Sequence, residues 1–114
     1  MNYKGKKILY IDYTKCKTTQ DTIDVLEMVK REYLGTTDKI IALNDFTGVT
    51  ANNDYMELAK KYAKELFDGK THRNACLGIT GVKKILLSAY NLVVKNKLMP
   101  FDTKEQALEY LTRD

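Results

Sequence analysis

The sequence contains one histidine, two cysteines, one proline and no apolar run that approaches the ~20 residues needed to cross a bilayer. Each shortage removes a class of function. With His72 alone, a histidine-rich metal centre cannot be assembled within one chain, and Lys70, Arg73 and Asn74 around it mark a polar loop where a solvated imidazole is expected. A cysteine–histidine nucleophile pair would need Cys16 or Cys76 beside His72 with a third, orienting group. Cys76 lies inside an apolar run and reads as core packing. The two cysteines have neither the paired spacing of a metal site nor the density of a secreted disulfide scaffold, so both are expected as free thiols in a cytoplasmic protein. The first apolar run is too short for a signal-peptide core and is broken by Asp12.

The charge balance is equally restrained. The formal net charge is +4, from 19 Lys and Arg against 15 Asp and Glu. Acidic residues are spread among the basic ones, which argues against the concentrated basic face of a nucleic-acid binder. A chain of 114 residues falls within the usual size of one domain, and a single domain over residues 1–114 is expected.

What is present has a clear rhythm. Residues 6–13 carry the β-formers Ile8, Leu9, Tyr10 and Ile11, after a Lys4-Gly5-Lys6 turn. Thr18 or Thr19 can cap a helix whose Thr22, Val25, Leu26, Val29 and Tyr33 share one face, and Gly35 ends it. Residues 39–44 read as a second strand, and a helix begins near Asn52 or Asn53. Its buried stripe is Tyr55, Leu58, Ala59, Tyr62, Ala63 and Leu66, with a stop at Gly69. Residues 74–80 read as a third strand and Gly81 opens a third helix that runs to about Lys95. A short extended piece follows at 98–101, then a last helix announced by the capping-box pattern Thr103-Lys104-Glu105-Gln106. Strand alternating with helix predicts an α/β fold with a mostly parallel four-stranded sheet built from βα repeats.

The segment KIIALNDFTGVTANN, residues 39–53, is the focus of any site. Its apolar run stops at a turn that starts a helix, and sites in parallel sheets gather at such carboxyl edges. Asp12 and Asp45 both end predicted strands and could pair or hold a metal, though capping a nearby turn or helix is the use expected of them. Gly78-Ile79-Thr80-Gly81-Val82-Lys83-Lys84 sets two glycines and two lysines at a helix start, where free N–H groups attract anions. It has the spacing of neither a Walker loop nor a dinucleotide fingerprint. No catalytic set, metal site or cofactor motif emerges, and a non-enzymatic binding role is expected.

The third helix is apolar over an unusually wide arc. Val82, Leu86, Ala89 and Val93 read as its core stripe with Ile85 and Leu92 on one flank. Leu87, Tyr90 and Val94 on the other flank are then left for an interface, with a second copy or with another protein, unless the last helix covers them.

Asp45-Phe46-Thr47-Gly48-Val49-Thr50 is similar to the Asp-Leu-Ser-Gly-Val-Thr stretch of STAS domains, the anti-sigma-factor antagonist fold. From Lys6 to Leu111 the layout resembles small bacterial STAS-like proteins grouped with the CRAL-TRIO lipid-binding domains. The 78–84 turn and the ending Pro100-Phe101-Asp102-Thr103-Lys104-Glu105-Gln106-Ala107 share in that likeness. The resemblance implies a STAS-like fold and a regulatory domain acting through protein partners; its grouping implies, as an alternative, a carrier of a small apolar or anionic ligand such as a lipid. In partner-switching STAS proteins the phosphorylated residue lies in an Asp-Ser-Ser-Gly segment that matches Asn53-Asp54-Tyr55-Met56 here. The acceptor slot holds Asp54, which has no hydroxyl, yet its fixed charge suits a helix N-terminus and leaves the surface usable for docking. Asp45, Thr47, Thr50, Asp54, Thr80 and Lys83 are therefore the candidate contacts.

Overall fold

The computed structural model describes residues 1–50 and 52–113. A hairpin comes first, β1 (Asn2–Tyr3) and β2 (Lys6–Lys7), paired antiparallel. Lys4 and Gly5 at its tip have φ of 50° and 79°, the two successive positive values that a tight two-residue turn demands. The sequence pattern placed a turn here but extended the following strand through it; the main strand is the shorter β3 (Leu9–Asp12).

The remaining strands are β4 (Ile40–Asp45), β5 (Thr71–Leu77) and β6 (Leu98–Phe101), and the sheet runs β3-β4-β5-β6 with every neighbour parallel. Its register aligns Asp12, Asp45, Leu77 and Phe101 at one edge, so all four strands deliver their carboxyl ends to the same side. The connections are α1 (Thr19–Leu34), α2 (Asn53–Tyr62) and α4 (Val82–Val93), with α5 (Lys104–Thr112) closing the chain. After Tyr62 the second helix widens into a π-type segment, Ala63–Phe67, and finishes as the short α3 (Asp68–Lys70). Thr18 and Thr103 each form a full capping box, the latter with Gln106 as its pattern predicts.

Alternation along the strands divides the core between two faces. Leu43, Ala75 and Leu77 turn to one face, where Ala107, Leu108 and Leu111 of α5 cover them. Ala42 and Cys76 turn to the other, under α1, α2 and α4, with Leu26, Val29, Ala59, Tyr62 and Tyr90 among the packed side chains. Asn44 shares that second face, and its amide donates to Asn74 Oδ1 at 2.7 Å and to the Ala75 carbonyl at 3.2 Å. A buried amide that lacked these partners would cost a few kcal/mol.

Because α5 lies on the opposite face of the sheet, it does not cover α4. The rotation of α4 also differs from the one its periodicity suggests. Tyr90 and Val94 are buried at 8% and 3% exposure, and Leu87 packs half-buried beside them. Val82, Ile85 and Leu92, at 66%, 71% and 85%, and Val93 at 43%, face outward. Leu87, Tyr90 and Val94 are thus inside their own chain and do not form an exposed interface. A helix apolar on nearly all sides does not declare which side the core takes. Here Leu87, Tyr90 and Val94 pack into the core under α4, and the Lys83 ammonium, donating to the Phe46 carbonyl at 2.9 Å, ties the start of the helix to the turn after β4.

Both cysteines are free, Cys76 fully buried and Cys16 partly so. Burial pushes the Cys76 thiol up to about 12, so almost none of it is thiolate near neutral pH. A disulfide-exchange reagent at pH 8 is expected to leave Cys76 unmodified in the native protein and to count two thiols after denaturation. Native modification of Cys76 at the rate of a free thiol would contradict this packing.

Candidate functional site

The carboxyl edge is built from two turns of the same design. Asp12-Tyr13-Thr14 follows β3 and Asp45-Phe46-Thr47 follows β4. In each, the aspartate Oδ1 accepts from the threonine two residues on: from Thr14 N and Oγ1 at 2.8 and 2.5 Å, and from Thr47 N and Oγ1 at 3.0 and 2.6 Å. Such bonds let the side chain mimic the next peptide and bend the chain sharply. The hydrogen bonds from Thr14 also hold the Asp12 carboxyl below its usual range. Both aspartates thus serve their turns, the structural use expected of them. Among the described residues no group of three His, Cys, Asp or Glu could hold a metal ion.

The middle residue of each turn points inward. Tyr13 and Phe46 stack with ring centroids 4.6 Å apart, Tyr55 of α2 meets Tyr13 edge-on at 5.4 Å, and the Tyr55 and Tyr13 hydroxyls are 2.9 Å apart. This aromatic plug floors the edge, and burial drives both phenols well above the ordinary tyrosine value. On its far side the turn after β4 presses against the turn after β5. Gly78 has φ of 77°, and a Cβ there would stand 2.5 Å from both the Cα and the N of Thr47.

Of the residues the sequence singled out, Asp45, Thr47 and Lys83 come together around the 45–48 turn. Thr50 and Lys83 also line the mouth of a hollow beneath it. Asp54 and Thr80 are exposed near the N-terminal ends of α2 and α4; Thr80 accepts from the Lys83 backbone N–H at 3.1 Å. Asn52 caps α2 by accepting from Tyr55 N at 2.7 Å. The edge is therefore a set of short, internally bonded turns, not a ring of free polar groups.

Two features lie outside that set. The first is the outward apolar stripe of α4, where Val82, Ile85 and Leu92 recur at helical spacing. It belongs to a stretch between Asp68 and Asp102 that contains no acidic residue, with Lys84 exposed beside the stripe and Lys95 just beyond the helix end. The second is the hollow itself, of about 90 Å³, between the sheet and α1, α2 and α4. The absence of acid from 69 to 101 is legible in the sequence; the hollow is not, since no pattern reports a gap between elements.

No protein-family model and no curated protein matches the chain. Among solved structures it is similar to an uncharacterized protein of the DUF3478 family with a SpoIIAA-like fold from Shewanella loihica PV-4, at 20% identity and a TM-score of 0.54. The match covers 91% of this chain and 79% of that one. The fold is therefore SpoIIAA-like: the STAS, or anti-sigma-factor antagonist, architecture of a parallel four-stranded sheet with alternating helices. At that identity the likeness speaks for the fold, and function has to be argued from the residues. No helix among the described residues is long and apolar enough to cross a membrane.

Proposed function

We propose that the protein is a non-catalytic binding domain that docks a partner protein on the outer face of α4. The observation that carries this is the exposure of Val82, Ile85 and Leu92 on one helix stripe, which nothing among the described residues covers. Large apolar side chains gathered on one exposed face mark interaction sites, whereas scattered ones carry no such meaning. The surroundings define the partner's chemistry. Lys84 and Lys95 border this face and α4 itself carries no carboxylate, so the face suits an apolar groove rimmed by Asp or Glu; the Asp68 carboxylate, accepting from Lys95 N at 3.1 Å, lies only at the far end of the helix. A second copy suits it less, because the Lys84 and Lys95 ammonium groups of two copies would be brought together. The part of the carboxyl edge that adjoins the start of α4, with Thr47, Thr80 and Lys83, would supply the polar rim of the same contact.

Ile85→Glu with Leu92→Glu tests this. The domain is expected to keep its melting temperature within a few degrees, since exposed substitutions shift stability by about 0.5 kcal/mol or less. Wild-type protein in extract of its own cells is expected to elute in a complex larger than the 13.1 kDa chain, and the double variant as the free chain. Equal elution of the two would contradict the assignment.

A further inference from the structure

The hollow under the carboxyl edge is lined on its apolar walls by Leu26, Val29, Met56, Ile79 and Leu87. The polar side chains around it are mostly engaged with one another. Tyr13 and Tyr55 share a hydrogen bond, Tyr33 is 2.7 Å from the Thr71 hydroxyl, Asn44 is bound to Asn74, and Lys83 donates to the Phe46 carbonyl. Tyr90 is different. It is only 8% exposed and lines the hollow, yet its hydroxyl makes no hydrogen bond among the described residues. No sealed side-chain nitrogen or oxygen among the described residues lacks a partner, so this hydroxyl reaches accessible space, and the hollow is a space that Tyr90 lines. A phenol hydroxyl that reaches such a space can donate to or accept from a polar group on a molecule held there.

We infer that the hollow is a binding site for a small, uncharged, mostly apolar molecule bearing one hydroxyl or carbonyl group, which pairs with the Tyr90 hydroxyl. The lining sets the guest's polarity. Twenty-two of its twenty-three lining residues are uncharged, and the one ammonium, on Lys83, spends one of its three donors on the Phe46 carbonyl, so the wall favours a neutral, mostly apolar guest. Size is set by volume. About 90 Å³ is less than the ~150 Å³ apolar void that takes benzene, so a single small ring is the upper limit and a whole lipid does not fit. Met56, an unbranched side chain in the wall, can yield the remaining space.

Phenol and benzene are the probes, titrated separately into the nitrogen-15-labelled chain while amide shifts are followed. Phenol is expected to bind and to move the amides of Met56, Leu87 and Tyr90. Tyr90→Phe keeps the ring and removes the hydroxyl; it is expected to weaken phenol five- to tenfold and to leave benzene within about twofold. If Tyr90→Phe does not melt cooperatively, Ala59→Val takes its place: it fills the hollow from the α2 wall, leaves Tyr90 intact, and is expected to abolish binding of both probes. A wild type unmoved by phenol up to its solubility limit would show that the hollow takes water only, and would overturn the proposal. Equal phenol affinity in Tyr90→Phe, or full affinity in Ala59→Val, would overturn it as well. None of these outcomes depends on the outer face of α4.

Discussion

Leu87→Asp combined with Val94→Asp is expected to abolish cooperative thermal unfolding. Val94 is 3% exposed and packs with Leu26, Tyr62, Cys76 and Leu98, while Leu87 packs half-buried against the same cluster. Burying Val is worth roughly 1.5–3 kcal/mol, and a carboxylate placed there without a partner adds a desolvation cost of several more. Against a total stability of ~5–15 kcal/mol, two such changes leave little folded protein. A circular-dichroism melt should show no transition. A cooperative melt within a few degrees of wild type would mean that α4 turns its other side inward, and the assignment of its exposed stripe would fail with it.

Gly78→Ala carries the second largest expected effect. The residue's φ of 77° is a left-handed value that costs a residue with a Cβ about 1–2 kcal/mol. The new methyl would also stand 2.5 Å from Thr47 Cα and N, and these are backbone atoms that cannot rotate away. Relieving that overlap must pry apart the turns after β4 and β5, straining the 3.0 Å bond from Phe46 N to the Leu77 carbonyl. Together the two penalties amount to roughly 3 kcal/mol, to be measured as a lowered midpoint in urea at unchanged slope. Gly48→Ala is the control, because it shares a positive φ of 77° but has nothing within 4 Å of its Cβ position. Equal losses in the two variants would show that the close approach of the turns carries no energy.

The elements were legible because their signals are local. Thr103 through Gln106 spells a capping box and forms one; Ile40 through Leu43 reads as a central strand and is one. The roles of Asp12 and Asp45 were also readable, since an aspartate two residues before a threonine at a strand end closes a turn more readily than it builds a site. The rotation of α4 was not. Its apolar residues occupy most of the helix circumference, and the inner side is defined by tertiary contacts, the packing of Tyr90 and Val94 and the bond from Lys83 to Phe46, that no periodicity contains. The hairpin at residues 2–7 escaped for a related reason: its strands are two residues each, too short for alternation to register. The hollow and the unpaired Tyr90 hydroxyl arise from how three helices sit over one sheet, so they become visible only with the assembled fold.

The claim that the outer face of α4 is the docking surface is tested most directly by placing a photo-crosslinking amino acid at Leu92, which is 85% exposed, and irradiating cells that express the protein. Met28 of α1, 56% exposed and also apolar, serves as the control position. One discrete adduct with a different protein is expected from position 92 and none from position 28. The adduct is also expected to be lost on Ile85→Glu and weakened on Lys84→Glu with Lys95→Glu, as an apolar contact with an acidic rim requires. An adduct formed only with a second copy of the chain, or equal labelling from both positions, would contradict the claim.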